Sequence, residues 1–160
     1  MGALAVAAVA VGLLVGPGDA GVATCEKAII GHGSADWRSE NVVAGPVGVR
    51  RAPLGRMWRT KKGLVTKMGI LAEGREPEAV SVSVPPGLQK RVFLYYGGAS
   101  SFARDRGFAR VRFELCGNKP RTIWPGGIRV KGTEPVRLMV NAADGAVHTL
   151  RLGRPEIYVP

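Results

Sequence analysis

One short segment contains the three residue types of a hydrolytic triad, at His32, Ser34 and Asp36. A working triad is assembled from separated segments, so that the base can approach the nucleophile while a third group orients the base. This crowding argues against catalysis, and no Gly-x-Ser-x-Gly elbow is present. The other histidine, His148, shares a predicted strand face with two leucines, so we expect a satisfied or edge histidine there. An exported hydrolase that uses His32 or His148 remains an alternative function.

The histidines and cysteines do not have the spacing of a metal site. The two histidines lie in distant, dissimilar contexts, and the two cysteines, Cys25 and Cys116, do not form a Cys-x-x-Cys pair. The glycines follow predicted turns and not a strand-to-helix step, so no phosphate-binding loop is indicated. We therefore expect neither a metal nor a cofactor.

Segment 50–67 has the highest local charge. It contains seven cations and no acid, namely Arg50, Arg51, Arg56, Arg59, Lys61, Lys62 and Lys67. The functional interpretation is an anion-binding ribbon, in which long cations reach phosphates or carboxylates while Trp58 stacks or inserts at an interface. The alternative is a solvated loop and strand edge, where cations discourage pairing with other chains. The formal net charge of the chain, +11, favours anionic partners in general.

Three aromatic residues are candidate contacts: Trp58 in the cationic segment, and Tyr96 and Trp124, which could form a platform for a sugar or peptide. Tyr96 ends a predicted strand, and Trp124 lies in the turn Trp124-Pro125-Gly126-Gly127. The alternative is that such rings pack over the end of the sheets with their polar tips in water.

Alternating side chains predict half-buried strands from position 80 onward. The predicted strands are Val80–Val84, Val92–Tyr96, Phe108–Leu115, Ile128–Lys131, Val136–Asn141 and Val147–Leu152. Pro86-Gly87 fits the centre of a type II turn, and Asp144-Gly145 predicts a hairpin. Since no helical spacing follows the N-terminal segment, the sequence predicts an all-β chain. We expect a small antiparallel β-sandwich, immunoglobulin-like or barrel-like, in residues 42–160, after a loop-rich entry segment in residues 24–41.

Residues 1–23 form an apolar leader, expected to be a helix that acts as a signal peptide. Residues 2–16 have no polar side chain, while Pro17 and Asp19 interrupt the run before it reaches the length of a membrane span. Small residues ending at Ala20 and at Ala23 offer two cleavage sites. The segment lacks an initial Lys or Arg, so a retained membrane anchor is an alternative. Residues 22–25 also resemble a lipobox, which would make Cys25 a lipid attachment point.

An exported location changes the expected chemistry of the two cysteines. In an oxidising compartment, one disulfide between Cys25 and Cys116 is favoured over metal binding or catalysis. Two free thiols are the alternative, and lipidation of Cys25 would exclude the bridge.

The segments Phe113–Cys116 and Arg121–Ile128 resemble a group of uncharacterised actinobacterial exported or membrane-anchored proteins. These proteins have a similar strand ending in Cys, a Thr-x-Trp-Pro-Gly-Gly turn and a closing strand like Val136–Val140. The resemblance extends over residues 78–153. It implies a location and a domain type, and it implies no activity.

Together these observations predict a non-catalytic binding or structural module of the cell envelope. Its expected partner is an anionic membrane surface, a cell-wall polymer or an envelope protein. A structural subunit of an envelope complex is the second alternative to a hydrolase. The exported location and the lack of a nucleic-acid-binding motif argue against nucleic acid as a partner.

Overall fold

The computed structural model describes residues 20–30, 36–97, 107–117 and 120–159. The predicted leader helix lies outside the described residues up to position 19. The last four residues of the predicted leader form a β-strand, Ala20–Ala23. His32 and Ser34 of the triad-like segment also lie outside the described residues.

The described residues form fourteen strands, one short α-helix and two short 3₁₀ helices, Cys25–Lys27 and Pro86–Leu88. The first seven strands are β1 (Ala20–Ala23), β2 (Ile29–Ile30), β3 (Asn41–Ala44), β4 (Val47–Arg50), β5 (Trp58–Thr60), β6 (Gly63–Lys67) and β7 (Ile70–Glu73). The others are β8 (Ala79–Ser83), β9 (Val92–Tyr95), β10 (Arg110–Glu114), β11 (Arg121–Trp124), β12 (Gly127–Val130), β13 (Val136–Asn141) and β14 (Val147–Gly153). The helix α1 is Trp37–Glu40. Within the described residues the prediction of an all-β fold is confirmed, whereas the narrower prediction of a sandwich stays a prediction.

The strands belong to three sheets. Sheet I has the order β1-β10-β8-β13-β14, sheet II the order β2-β11-β7-β4-β3, and sheet III the order β5-β6-β12-β9. Neighbouring strands are antiparallel, with the exception of β1, which runs parallel to β10. Residues 20–30 thus supply an edge strand to sheet I through β1 and to sheet II through β2.

Alternation of side chains explains why the strands of sheet I form. In β13, Val136, Leu138 and Val140 are buried, while the residues between them are exposed or half-buried. The Asp144-Gly145 hairpin is also as predicted, because β13 and β14 pair antiparallel across it. Gly145 has a φ of +85°, which glycine adopts without steric cost.

The predicted type II turn at Pro86-Gly87 is wrong. Residues Pro86–Leu88 form a single 3₁₀ turn, in which the Leu88 amide donates to the Pro85 carbonyl at 2.8 Å. Proline fits the first position of such a turn because its ring fixes φ and no amide hydrogen is needed there. The turn carries the chain from sheet I to sheet III, so β8 and β9 are not a hairpin.

One hydrophobic core is built by side chains from all three sheets. At its centre, the Phe113 ring lies between the rings of Tyr96 and Trp124, with centroid distances of 5.2 Å in both pairs and edge-on geometry. The Tyr96 hydroxyl donates to the Met68 carbonyl, and burial raises the pKa of Tyr96 above its usual range. The Trp-Pro-Gly-Gly turn fits this centre because the backbone at Gly126 is in close contact with the Tyr96 ring.

The predicted disulfide is confirmed. Cys25 and Cys116 are bonded, with their Cα atoms 5.6 Å apart and a sequence separation of 91. The bond connects the turn after β1 to the end of β10, and so fastens the N-terminal segment to sheet I. A disulfide of this kind indicates an oxidising compartment outside the cytoplasm.

Candidate functional site

All seven cations of segment 50–67 are exposed, but they do not form a single straight strip. Arg50 ends β4 in sheet II, and the Arg51 Nε donates to the Ser39 carbonyl near α1. Arg56 precedes β5, whereas Lys61 and Lys62 form the turn between β5 and β6. The segment therefore runs from the edge region of sheet II to the edge hairpin of sheet III.

The β5–β6 hairpin is fixed by local hydrogen bonds that hold its cationic turn in place. The Thr60 hydroxyl donates to the Gly63 carbonyl at 2.7 Å, and the Lys62 amide donates to the Thr60 hydroxyl at 3.2 Å. Gly63 has a φ of +130°, and a Cβ there would lie 2.7 Å from the Val130 carbonyl oxygen of β12. Glycine is therefore required for the hairpin to close against its neighbour.

The strand register places Trp58 at the end of a row that crosses sheet III. Trp58 is opposite Val65, Val65 is opposite Arg129, and Arg129 is opposite Phe93. Because directly paired residues point to the same face of a sheet, these four side chains share one face. The opposite face carries Leu64 and the buried residues that pair with it across the sheet, and these side chains pack into the core.

Cations lie directly over the aromatic rings of this row. The Arg129 guanidinium carbon is 4.9 Å from the Phe93 ring centroid and 5.3 Å from that of Tyr95. The Lys131 ammonium is 5.4 Å from the Phe93 centroid. Arg129 and Tyr95 are buried, whereas Lys131 is exposed. Burial raises the pKa of Tyr95, although the positive charge of Arg129 opposes this effect.

The C-terminal segment adds an exposed aromatic residue to the same face. Met57 and Ile157 form a parallel bridge, in which the Met57 amide donates to the Glu156 carbonyl and the Tyr158 amide donates to the Met57 carbonyl, both at 2.9 Å. Since side chains alternate along extended chain, Trp58 and Tyr158 point to one side. The Arg56 guanidinium lies 5.9 Å from the Tyr158 ring centroid, which places Arg56 on that side too.

We call this surface the aromatic–cationic face. It comprises the exposed residues Arg56, Trp58, Lys67, Lys131 and Tyr158 and the partly or fully buried Val65, Phe93 and Arg129 beneath them. Arg59 points to the other side of β5, and Lys61 and Lys62 extend from one end of the face at the hairpin turn. The charge is not purely positive, because the exposed Glu156 belongs to the same C-terminal segment.

Two of the three candidate aromatic contacts require a correction. Tyr96 and Trp124 are 0% and 1% exposed, and their rings pack on Phe113 in the core. They cannot contact a sugar or peptide at the surface while the domain is folded. Trp58, in contrast, is half exposed on the aromatic–cationic face.

His148 lies in a cleft of about 440 Å³ on another part of the molecule. The cleft also contains Glu73, Glu78 and Asp144, but Glu73 accepts hydrogen bonds from Trp37 and Arg38, and Asp144 accepts one from the Ala146 amide. Its described lining has no serine, threonine or cysteine, and so offers no hydroxyl or thiol nucleophile. Hydrolase activity therefore stays a prediction, and the residues of this cleft add no support for it.

Neither a metal-binding cluster nor a membrane-spanning helix occurs in the described part of the chain. No group of three or more His, Cys, Asp or Glu side chains there is arranged to hold a metal ion. Within the same ranges, no helix has the length and apolarity needed to span a bilayer.

Comparisons with protein-family models, with curated proteins and with solved structures give no match to this chain.

Proposed function

We propose that this chain is a non-catalytic module of the cell envelope whose aromatic–cationic face binds the surface of an anionic phospholipid bilayer. The observation that carries the proposal is the position of two exposed aromatic side chains, Trp58 and Tyr158, among exposed cations on one face of sheet III. The oxidising compartment indicated by the disulfide supports a location where such a surface is available.

Electrostatic attraction supplies the long-range part of this binding. A Lys or Arg near an anionic lipid surface contributes about 1 kcal/mol, and the attraction falls off within a Debye length. Arg56, Lys67 and Lys131 on the face, and Lys61 and Lys62 at the hairpin turn, are all exposed. Several such residues acting together suffice for reversible adsorption at moderate salt.

The apolar side chains favour lipid over the other anionic partners predicted from the sequence. A hydrated cell-wall polymer matches the positive charge but has no apolar region to cover exposed side chains. A bilayer interface accepts both groups, since the amphipathic rings of Trp and Tyr concentrate at the depth of the headgroups while Lys and Arg reach the phosphates.

Vesicle cosedimentation tests this proposal. The oxidised protein is mixed with vesicles of phosphatidylcholine alone or with a third of the lipid replaced by phosphatidylglycerol, at low and at high salt. We expect binding to the anionic vesicles only, and we expect it to weaken steeply with salt because the Debye length falls from about 10 Å at 0.1 M to about 3 Å at 1 M.

A matched pair of charge-reversal variants separates the contribution of this face to binding from the contribution of net charge. Changing Arg56, Lys67 and Lys131 on the face, and Lys61 at its hairpin end, to Glu is expected to abolish binding. Changing four exposed cations elsewhere, Lys27, Arg75, Arg137 and Arg151, to Glu lowers the net charge equally and is expected to leave most of the binding. Equal losses in both variants, or binding to purified wall polymer and not to vesicles, would reject the proposal.

A further inference from the structure

The large apolar side chains exposed on the described surface are not evenly distributed. Seven are exposed, and they are Val22, Ile29, Trp58, Val147, Ile157, Tyr158 and Val159. Val22, Ile29 and Val147 lie on three different edge strands. Of the other four, Trp58 begins β5, and Ile157, Tyr158 and Val159 belong to the C-terminal segment that pairs with the preceding Met57; alternation places Tyr158 on the side of Trp58. Single exposed apolar residues are normal, whereas a contiguous group marks a site that contacts something apolar.

Backbone pairing gives this group a defined geometry. The parallel bridge at Met57 fixes Tyr158 beside Trp58, and Met57 itself is fully buried. A second hydrogen bond, from the Glu156 amide to the Leu54 carbonyl at 2.8 Å, ties the segment to the loop before β5. The two rings are therefore attached to sheet III and to the core, and not to a free terminus. Arg56 stacks on Tyr158 from one side and so places a cation beside the rings.

We propose that Trp58 and Tyr158 insert as a pair into the interfacial region of an anionic bilayer. This inference rests on the proposed function and specifies the depth and the side chains through which the face binds. A rigid pair of amphipathic rings loses little conformational entropy on insertion, because each ring has only two side-chain torsions. The neighbouring cations match the headgroup phosphates at that depth.

The fluorescence emission of the protein's own tryptophans reports the insertion of Trp58 without an added label. The chain has three tryptophans, and Trp37 and Trp124 are buried, whereas Trp58 is 50% exposed. A change in emission on adding vesicles therefore reports on Trp58. We expect a blue shift with phosphatidylglycerol-containing vesicles. We also expect stronger quenching by lipids brominated near the glycerol backbone than by lipids brominated near the chain ends.

Substitutions test the pair without threatening the fold, because both rings are exposed. Trp58→Ser and Tyr158→Ser are each expected to weaken partitioning about tenfold, since each removes a large apolar surface from the lipid contact. Tyr158→Phe keeps the ring and should retain most of the binding. Val147→Ser removes an equally exposed apolar side chain on β14 and should have no effect.

Different experimental outcomes would reject this inference and the proposed function. Salt-sensitive binding to anionic vesicles with no blue shift and no effect of Trp58→Ser would overturn the inference and leave electrostatic adsorption standing. No binding to anionic vesicles at all would overturn both. A blue shift without lipid that depends on protein concentration, together with dimers in sedimentation equilibrium, would show that a second copy covers the rings and would also overturn the inference.

Discussion

Gly126 shows how a single missing side chain positions the aromatic centre of the core. A Cβ at this position would lie 2.2 Å from a ring carbon of Tyr96 and 2.5 Å from the Tyr95 carbonyl oxygen. Neither neighbour has room to move, because Tyr96 is packed on Phe113 and Tyr95 is in the backbone ladder with β12. Glycine is needed here for close approach and not for an unusual backbone angle.

We predict that Gly126→Ala lowers the free energy of unfolding by about 1–3 kcal/mol, as expected for overpacking a filled core. Gly87 provides the matched control, because a Cβ there meets no atom within 4 Å. Gly87→Ala should be neutral or stabilising by up to about 1 kcal/mol, since alanine restricts the unfolded chain. Urea unfolding of both variants measures the difference. Equal effects would show that the Tyr96 contact does not constrain this position.

Residue type alone could not separate the three candidate aromatic contacts. Trp58, Tyr96 and Trp124 all lie in or beside predicted strands or turns, and any of these rings can be buried or exposed. The deciding information is which sheet face each ring occupies and what lies opposite. Trp58 lies on the edge strand β5 and faces outward, whereas Trp124 lies on β11 between β2 and β7 and faces the core.

At the scale of elements, the N-terminal strand β1 is the least expected part of the fold. It lies within the predicted leader, yet it pairs with β10, and Gly21 and Ala23 are buried there. A Cβ at Gly21 would lie 2.6 Å from the Phe108 ring, so the strand fits closely against its neighbours. Of the two predicted cleavage sites, the one after Ala23 would remove β1, while the one after Ala20 would keep three of its four residues.

We predict that a chain beginning at Thr24 is less stable than a chain beginning at Gly21 by about 2–4 kcal/mol. The shorter chain loses the hydrogen bonds to β10, each of which contributes about 0.5–1.5 kcal/mol, and also loses the buried Ala23 methyl group. Both chains keep the Cys25–Cys116 bond, so the comparison isolates the strand. Denaturant unfolding under oxidising conditions measures the difference, and equal stabilities would mean that β1 is dispensable.

Local patterns predicted the elements whose partners are close in sequence. Alternation and the Asp144-Gly145 turn identified β13, β14 and their pairing, because a hairpin encodes its own register. The pairing of β1 with β10 and of Met57 with Ile157 joins segments about 90 and 100 residues apart, and no local pattern encodes such a match.

The same distinction explains how much of the candidate site could be predicted. The cations of segment 50–67 and Trp58 were visible because they are consecutive in sequence. Phe93, Arg129, Lys131 and Tyr158 come from three other segments. The register of sheet III brings the first three beside Trp58, and the Met57–Ile157 bridge brings Tyr158 there. Alternation around Val130 could have indicated that Arg129 and Lys131 share a face, but not which rings they contact.

At the scale of the whole molecule, three sheets share one hydrophobic core. Fully buried side chains from each sheet belong to it, among them Leu138 of sheet I, Ile70 of sheet II and Ile128 of sheet III. The core is also linked covalently, since the disulfide fastens the segment that supplies edge strands to both sheet I and sheet II. Shared burial of this kind favours unfolding as one cooperative unit.

We therefore predict that a core substitution in one sheet destabilises the other sheets equally. Leu138→Ala, in sheet I, should lower the free energy of unfolding by about 2–5 kcal/mol, the usual cost of a core cavity. Far-ultraviolet circular dichroism follows all the strands. In a Trp58→Phe background, the fluorescence comes from Trp124 of sheet II and from Trp37, whose indole donates to Glu73 of sheet II, and Leu138 does not lie in that sheet. Both signals should shift to the same lower denaturant midpoint with an unchanged slope, and Ile70→Ala should behave alike.

If Leu138→Ala instead shifted the dichroism and left the fluorescence midpoint in place, sheets I and II would unfold separately. The rigid support that the core gives to the aromatic–cationic face would then have to come from sheet III alone.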